Sequence, residues 1–141
     1  MDDNYKIMDD YYKNMEDAED VRFFRYSNYK ITGDALAALL LSKIVYWFRP
    51  GKTGRKKTRV VKDGRDWIAK KRKDWDNECC LSERQFDRAI KILKDQGLVE
   101  TKVYKFAGDP QTHISLNGDV FMEKLTNYHN NKTNEEVLNE E

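Results

Sequence analysis

The sequence predicts a mainly α-helical α+β fold, and three stretches carry that expectation. ALAALLLSKIVYWF (35–48) is apolar nearly all round, as a helix buried on several sides must be. SERQFDRAIKILKDQG (82–97) places Phe86, Ala89, Ile90 and Leu93 on one face, at i, i+3, i+4 and i+7. Behind it, VETKVYKFAGDPQTHISLN (99–117) reads as two alternating strands about a turn.

Residues 1–20 form an acidic segment bearing Tyr5, Tyr11 and Tyr12, expected as a peripheral helix or as chain that a partner orders. A single domain is expected over 21–128, a size that buries a core without staples. It opens on VRFFRYSNY (21–29), aromatic and basic, which fits a short strand or an extended packing arm. Asp34 is a credible N-cap for the apolar helix, because its carboxylate can accept from the orphan N–H groups of the first turn. Pro50 ends that helix.

After the loop RPGKTGRKKTR, Arg59–Lys62 and Arg65–Ile68 flank Asp63-Gly64. That dipeptide between apolar pairs signals a hairpin, since a type I′ turn needs positive φ at both central residues. A helix over Lys70–Glu78 follows, anchored by Trp75, and Cys79–Ser82 is a tight turn. Ser82 stands three residues before Gln85, the spacing of a capping box. Gly97 is a natural helix stop with Leu98 as its apolar companion. Val99, Thr101 and Val103 alternate along the next strand, Ala107–Pro110 turns the chain, and Ile114 and Leu116 point inward. A short helix over Asp119–Tyr128 closes the domain, and 129–141 (HNNKTNEEVLNEE) is expected as an acidic disordered tail.

The net charge of +1 conceals segregation. Residues 1–21 carry two lysines against eight acids, 22–50 five basic residues against one acid, and 51–106 seventeen against nine. Residues 117–141 return to two lysines against six acids. An acidic head, basic middle and acidic tail direct attention to an anionic partner for the middle. The bland alternative is a solubilising mixture of charges.

Helix, hairpin, helix, tight turn, amphipathic helix, hairpin: this order describes a winged helix-turn-helix, mainly α with a small β-wing. The run DWIAKKRKDWDNECCLSERQFDRAIKILKDQGLVETKVYKFAGDPQTHISLN resembles the winged-helix domain of phage and plasmid replication proteins of the replisome-organiser and initiator type. With the packing helix LLLSKIVYW, the resemblance covers about Asp34 to Asn117. It implies a role in replication initiation or transcription control, acting on double-stranded DNA.

In that setting Arg84 and Arg88 could make bidentate bonds to guanine and Gln85 could pair with adenine, with Ser82 on phosphate. Gln85 ranks below the arginines, because a capping box occupies it. Lys91, Lys70, Lys71, Arg72 and Lys73 suit backbone phosphates. Lys102, Tyr104, Lys105, Gln111 and Thr112 belong to the wing, and Lys52, Arg55, Lys56, Lys57 and Arg59 to a phosphate-facing loop. Against these stand internal pairs of Arg84 or Arg88 with Glu83, Asp87 or Asp95, and packing of Tyr104 on the sheet. Phe86, Ile90, Leu93, Trp67 and Trp75 read as core.

Other chemistry is poorly served. His113 and His129 are the only histidines and neither has a cysteine at zinc spacing, so no metal is expected. Cys79-Cys80 are too close in sequence for an ordinary bridge. PGKTGRKK is a fragment of a phosphate loop without its strand and helix. No enzyme activity and no cofactor are expected. The acidic start has no signal-peptide core, and no apolar run reaches the ~18 residues of a membrane span, so a soluble, cytoplasmic protein is expected. A homodimer on two half-sites would raise affinity by linking two contacts. The rival is a protein-interaction module, in which the acidic head captures a host or replisome protein and the winged helix is scaffold.

Overall fold

Asp34 begins the central helix as its chemistry requires: the Ala37 N–H donates to its Oδ1 at 3.0 Å, in a backbone still extended at the cap. The computed structural model describes residues 3–14, 21–55, 57, 58 and 60–140. Its element order is α1 (Asp3–Asn14), α2 (Tyr26–Thr32), α3 (Ala35–Phe48), β1 (Val60–Lys62), β2 (Arg65–Ala69), α4 (Asp74–Cys79), α5 (Glu83–Asp95), β3 (Val99–Phe106), β4 (Asp109–Leu116) and α6 (Gly118–Glu140). The described residues thus form an α+β fold of six helices and one four-stranded antiparallel sheet, in the order β1-β2-β4-β3.

The apolar run of α3 sits at the centre. Ala37, Leu40, Leu41 and Ile44 are fully buried, and they meet Trp75 of α4, Phe86, Ala89 and Leu93 of α5, and Ile68 and Ile114 of the sheet. Trp75 stacks on Phe86 with ring centroids 5.5 Å apart and planes 9° from parallel, which fixes α4 against α5. Ile68 faces Ile114 across the β2–β4 pair, so the two hairpins are joined on the core side.

Both hairpins turn in two residues with positive φ: Asp63 and Gly64 at 54° and 72°, Ala107 and Gly108 at 53° and 88°. That is the backbone of a type I′ turn, whose twist matches the strands it joins. The second turn is shorter than the expected Ala107–Pro110, because Asp109 and Pro110 pair with Phe106 and Lys105. Val103, expected to alternate with Val99 and Thr101 along the strand, is exposed near the outer end of β3.

Three further differences from expectation have local causes. VRFFRYSNY is extended only to Arg25; a helix starts at Tyr26. Asn28 donates to Ser42 Oγ at 2.8 Å, Thr32 Oγ1 donates to the Asn28 carbonyl, and Gly33 in the left-handed region closes the turn. These bonds override the strand propensity of the aromatic residues. The helix expected from Lys70 begins at Asp74, since β2 runs to Ala69 and the Asp74 carboxylate ties down the Lys71 N–H at 3.1 Å. The expected Asp119–Tyr128 helix and irregular tail are one helix through Glu140, because no glycine or proline interrupts the chain after Gly118. The acidic head is helical from Asp3 to Asn14, while Met15–Asp20 lie outside the described residues.

The Asp34 cap also anchors Arg88, whose Nη2 donates to Oδ2 at 2.7 Å. The Ala37 N–H, aided by Arg88, holds the Asp34 carboxyl below its ordinary value despite partial burial. Asp34→Ala should cost about 0.5–2 kcal/mol, whereas Asp34→Asn keeps the cap and should cost less. The pH dependence follows from the sign. A carboxyl depressed in the folded state lends stability that is complete above its unfolded value near ~4 and is lost as pH falls through the lower folded value. Urea unfolding between pH 7 and pH 3 checks this: Asp34→Ala should flatten the acid limb.

Candidate nucleic-acid interface

The face of α5 opposite its buried stripe carries Arg84, Arg88, Lys91 and Asp95. The N-terminal end is closed reciprocally. Gln85 N–H donates to Ser82 Oγ at 3.2 Å and Ser82 N–H donates to Gln85 Oε1 at 3.0 Å, completing the capping box. At the other end, Gly97 N–H reaches the Lys94 carbonyl and Leu98 N–H the Leu93 carbonyl, both at 3.0 Å. Gly97 holds φ 73°, which a side chain would strain, and the chain passes directly into β3.

Ser82 and Gln85 therefore spend their side chains on the cap. Arg84, in the first turn, is exposed and has no hydrogen-bond or ion-pair partner among the described residues. Arg88 is exposed but tied to Asp34, and Lys91 pairs with Asp95 one turn on at 2.7 Å. Arg72 reaches up from the α4 side and grips Asp87 with two bonds, 3.0 and 2.6 Å, with Glu83 at 3.9 Å. The acids on that flank of α5 are thereby partly neutralised by the neighbouring loop. Exposed pairs of this kind contribute only ~0–1 kcal/mol and exchange readily.

The remaining basic residues divide sharply. Lys71 and Lys73 are exposed, with side chains unpaired among the described residues. Lys70 is instead largely covered, bonding Glu78 at 2.9 Å and lying 4.5 Å from the centre of the Trp47 ring. Glu78 also takes the Trp47 indole N–H at 3.2 Å and Lys43 at 3.4 Å. Burial alone would raise the Glu78 carboxyl; the bonds from Lys70 and Trp47 and the two ammonium charges outweigh it, so its pKa is lowered. This cluster joins α3, α4 and the chain that leaves β2, which makes Lys70 a structural residue. Lys57 is likewise engaged, donating to the Tyr46 carbonyl at 3.2 Å and sitting 3.9 Å above that ring. Lys52 and Arg55 are exposed, and Lys56 and Arg59 lie outside the described residues.

On the second hairpin Lys102 and Lys105 are exposed, with Lys102 3.9 Å from Asp63. Tyr104 packs on the sheet, edge-on to Trp67 and His113, and its hydroxyl donates to Asp63 at 2.5 Å. That bond raises the Tyr104 hydroxyl above its ordinary pKa. Gln111 and Thr112 are half-buried; the Gln111 carbonyl lies 2.9 Å from His113 Nδ1. His113 is fully buried, which neither its spacing nor its neighbours in sequence signalled. Lys94, unassigned from sequence, is exposed on α5 and unpaired among the described residues.

Burial pushes the Cys79 thiol up to about 12, with Glu78 and Cys80 adding repulsion, so it is not a nucleophile near neutral pH. Among the described residues no group of three or more His, Cys, Asp or Glu is placed to hold a metal ion. No single helix among them is long and apolar enough to cross a membrane. Comparisons with protein-family models, with curated proteins and with solved structures gave no match.

Proposed function

We propose that the protein is a winged helix-turn-helix module that binds double-stranded DNA, of phage or plasmid type, acting in replication initiation or transcription control. In this reading α3, α4 and α5 are the three-helix unit, α5 enters the major groove, and β3–β4 is the wing. The observation that carries it is the first turn of α5. Trp75 and Phe86 fix the helix from below, the capping box closes its end, and Arg84 is left outward and unpaired among the described residues. Base readout needs a rigid helix presenting a guanidinium from its N-terminal turns. Arg88 and Lys91 lie on the same face; Lys91 sits in an exposed pair that a phosphate could displace, and Arg88 bonds the largely covered Asp34.

Lys71 and Lys73 are the phosphate-positioning residues of this reading, with Lys102 and Lys105 on the wing. Titration of a duplex at several salt concentrations tests it. Affinity should fall linearly in log–log form, and Lys71→Ala/Lys73→Ala should lower the slope by about 0.9 for each phosphate that is no longer neutralised. An unchanged slope removes these lysines from the interface. No catalytic step is part of the reading.

A second reading, a protein-interaction module, is favoured by one observation. Tyr5, Ile7, Met8, Tyr11 and Tyr12 of α1 are all at least 49% exposed, an apolar surface that a lone soluble helix does not need. Removing residues 1–20 should abolish partner capture under that reading and leave any DNA affinity intact or higher.

A further inference from the structure

Beside its core-facing Phe121 and Leu125, α6 carries two further columns of side chains. Lys124, Tyr128 and Lys132 follow at i, i+4 and i+8, and Asn127, Asn131 and Glu135 repeat that spacing on the neighbouring column. Opposite stands α2, with Tyr26 and Lys30 one turn apart and Ile31 half-buried beside them. Between the two helices these residues line a groove of about 560 Å³, within the ~300–1,000 Å³ of ordinary ligand pockets. Its lining holds no residue of α5 or of β3–β4 among those described.

Charge and ring chemistry in the groove select the same kind of partner. Lys30, Lys124 and Lys132 stand against one carboxylate, Glu135, and none of the three lysines has an ion-pair partner among the described residues. Tyr26 is 62% exposed, with Lys30 Nζ 5.9 Å from its ring centre. Its ring continues outward through Tyr29 to Phe24, at centroid distances of 6.3 and 6.4 Å. Residues 21–33, which carry those rings, hold three basic residues and no acid. Asn127 and Asn131 add amide groups that both donate and accept.

An unpaired nucleic-acid strand meets all three chemistries at once. Its phosphates suit the lysines, each base has a π-face for a tyrosine ring, and the free base edge suits an amide. A duplex keeps its base faces inside the stack, and an acidic peptide brings charge without either face or edge. We infer that the α2–α6 groove binds single-stranded nucleic acid, with the backbone on Lys30, Lys124 and Lys132 and a base on Tyr26. This site is separate from the α5 face and does not rest on the duplex reading.

Fluorescence anisotropy of labelled decathymidylate and decauridylate with the full chain at low salt tests it. Binding of at least one strand is expected, weakening as salt is raised. Lys30→Ala/Lys132→Ala should lower the log–log salt slope by about 0.7 for each phosphate no longer neutralised. Tyr26→Leu should weaken binding at least about fivefold, while Tyr26→Phe, which keeps the ring, should stay within about twofold of the parent. These side chains are exposed, so far-ultraviolet spectra should not change. Amide shifts on adding decathymidylate are expected at Tyr26–Ile31 and Lys124–Lys132. Shifts at Ser82–Arg88 instead would place the strand on α5 and overturn the inference. So would failure to bind either strand at low salt, or an unaffected Tyr26→Leu. Displacement by an equal concentration of decaglutamate would make the groove a site for acidic peptides and overturn it too. A duplex titrated in parallel reports on α5, so failure of this site is distinct from failure of the duplex reading.

Discussion

Trp75→Ala is expected to remove about 3–5 kcal/mol of stability, a large part of the ~5–15 kcal/mol that holds a domain of this size. The ring is fully buried and lies parallel to Phe86, with α3 behind it. Its loss leaves a cavity at the junction of α3, α4 and α5, where few side chains could move in. α4 is only six residues long and cannot hold its place by backbone bonds alone. Urea unfolding measures the effect, and Trp75→Phe, which keeps a stacked ring, should retain more than half of the stability that alanine removes. A loss below about 1 kcal/mol for the alanine variant would mean that α4 is held chiefly by the Glu78 cluster.

Arg84→Ala should have the opposite profile. Arg84 is exposed and unpaired among the described residues, so stability should stay within about 0.5 kcal/mol of the parent. DNA affinity should fall by about 1–3 kcal/mol, roughly 5–150-fold, if the guanidinium reads a base. Arg84→Lys should restore it only in part, because an ammonium lacks the planar, preorganised fork of the guanidinium. Arg88→Ala provides the contrast. It also frees Asp34, so it should perturb stability slightly and weaken DNA binding less than Arg84→Ala does. Equal affinities for both variants and the parent would put the DNA on another face.

The parts of the fold that were legible in the sequence are those whose signals are contiguous. For α5 the capping box, apolar stripe and glycine stop all fall within sixteen residues, and the helix obeys each. Asp63-Gly64 specified its turn by itself, because few dipeptides accept two positive φ values. α2 was hidden, since what makes it a helix is a hydrogen bond from Asn28 to Ser42, fourteen residues away. The length of α6 was hidden for another reason: beyond Tyr128 it has no buried side chain among those described, so no periodic pattern marks it.

The candidate site divides along the same line. Exposure of Arg84, Lys71 and Lys73 follows from their position opposite or outside the buried stripe. Pairing does not, because Arg88 meets Asp34 across 54 residues, Tyr104 meets Asp63 across 41, and Arg72 meets Asp87 across 15. Lys70 illustrates the point best. A run of Lys-Lys-Arg-Lys looks uniform in sequence, yet the fold turns its first member inward to Glu78 and Trp47 and leaves the second and fourth exposed.

Whether α5 and the wing meet DNA can be read residue by residue from amide chemical shifts during titration with a short duplex at low salt. Shifts are expected at Ser82–Arg88, at Lys71–Lys73 and near the Ala107–Gly108 turn, receding as salt is raised. No shift at low salt, or shifts confined to α1 and the 21–29 segment, would contradict a DNA-binding α5.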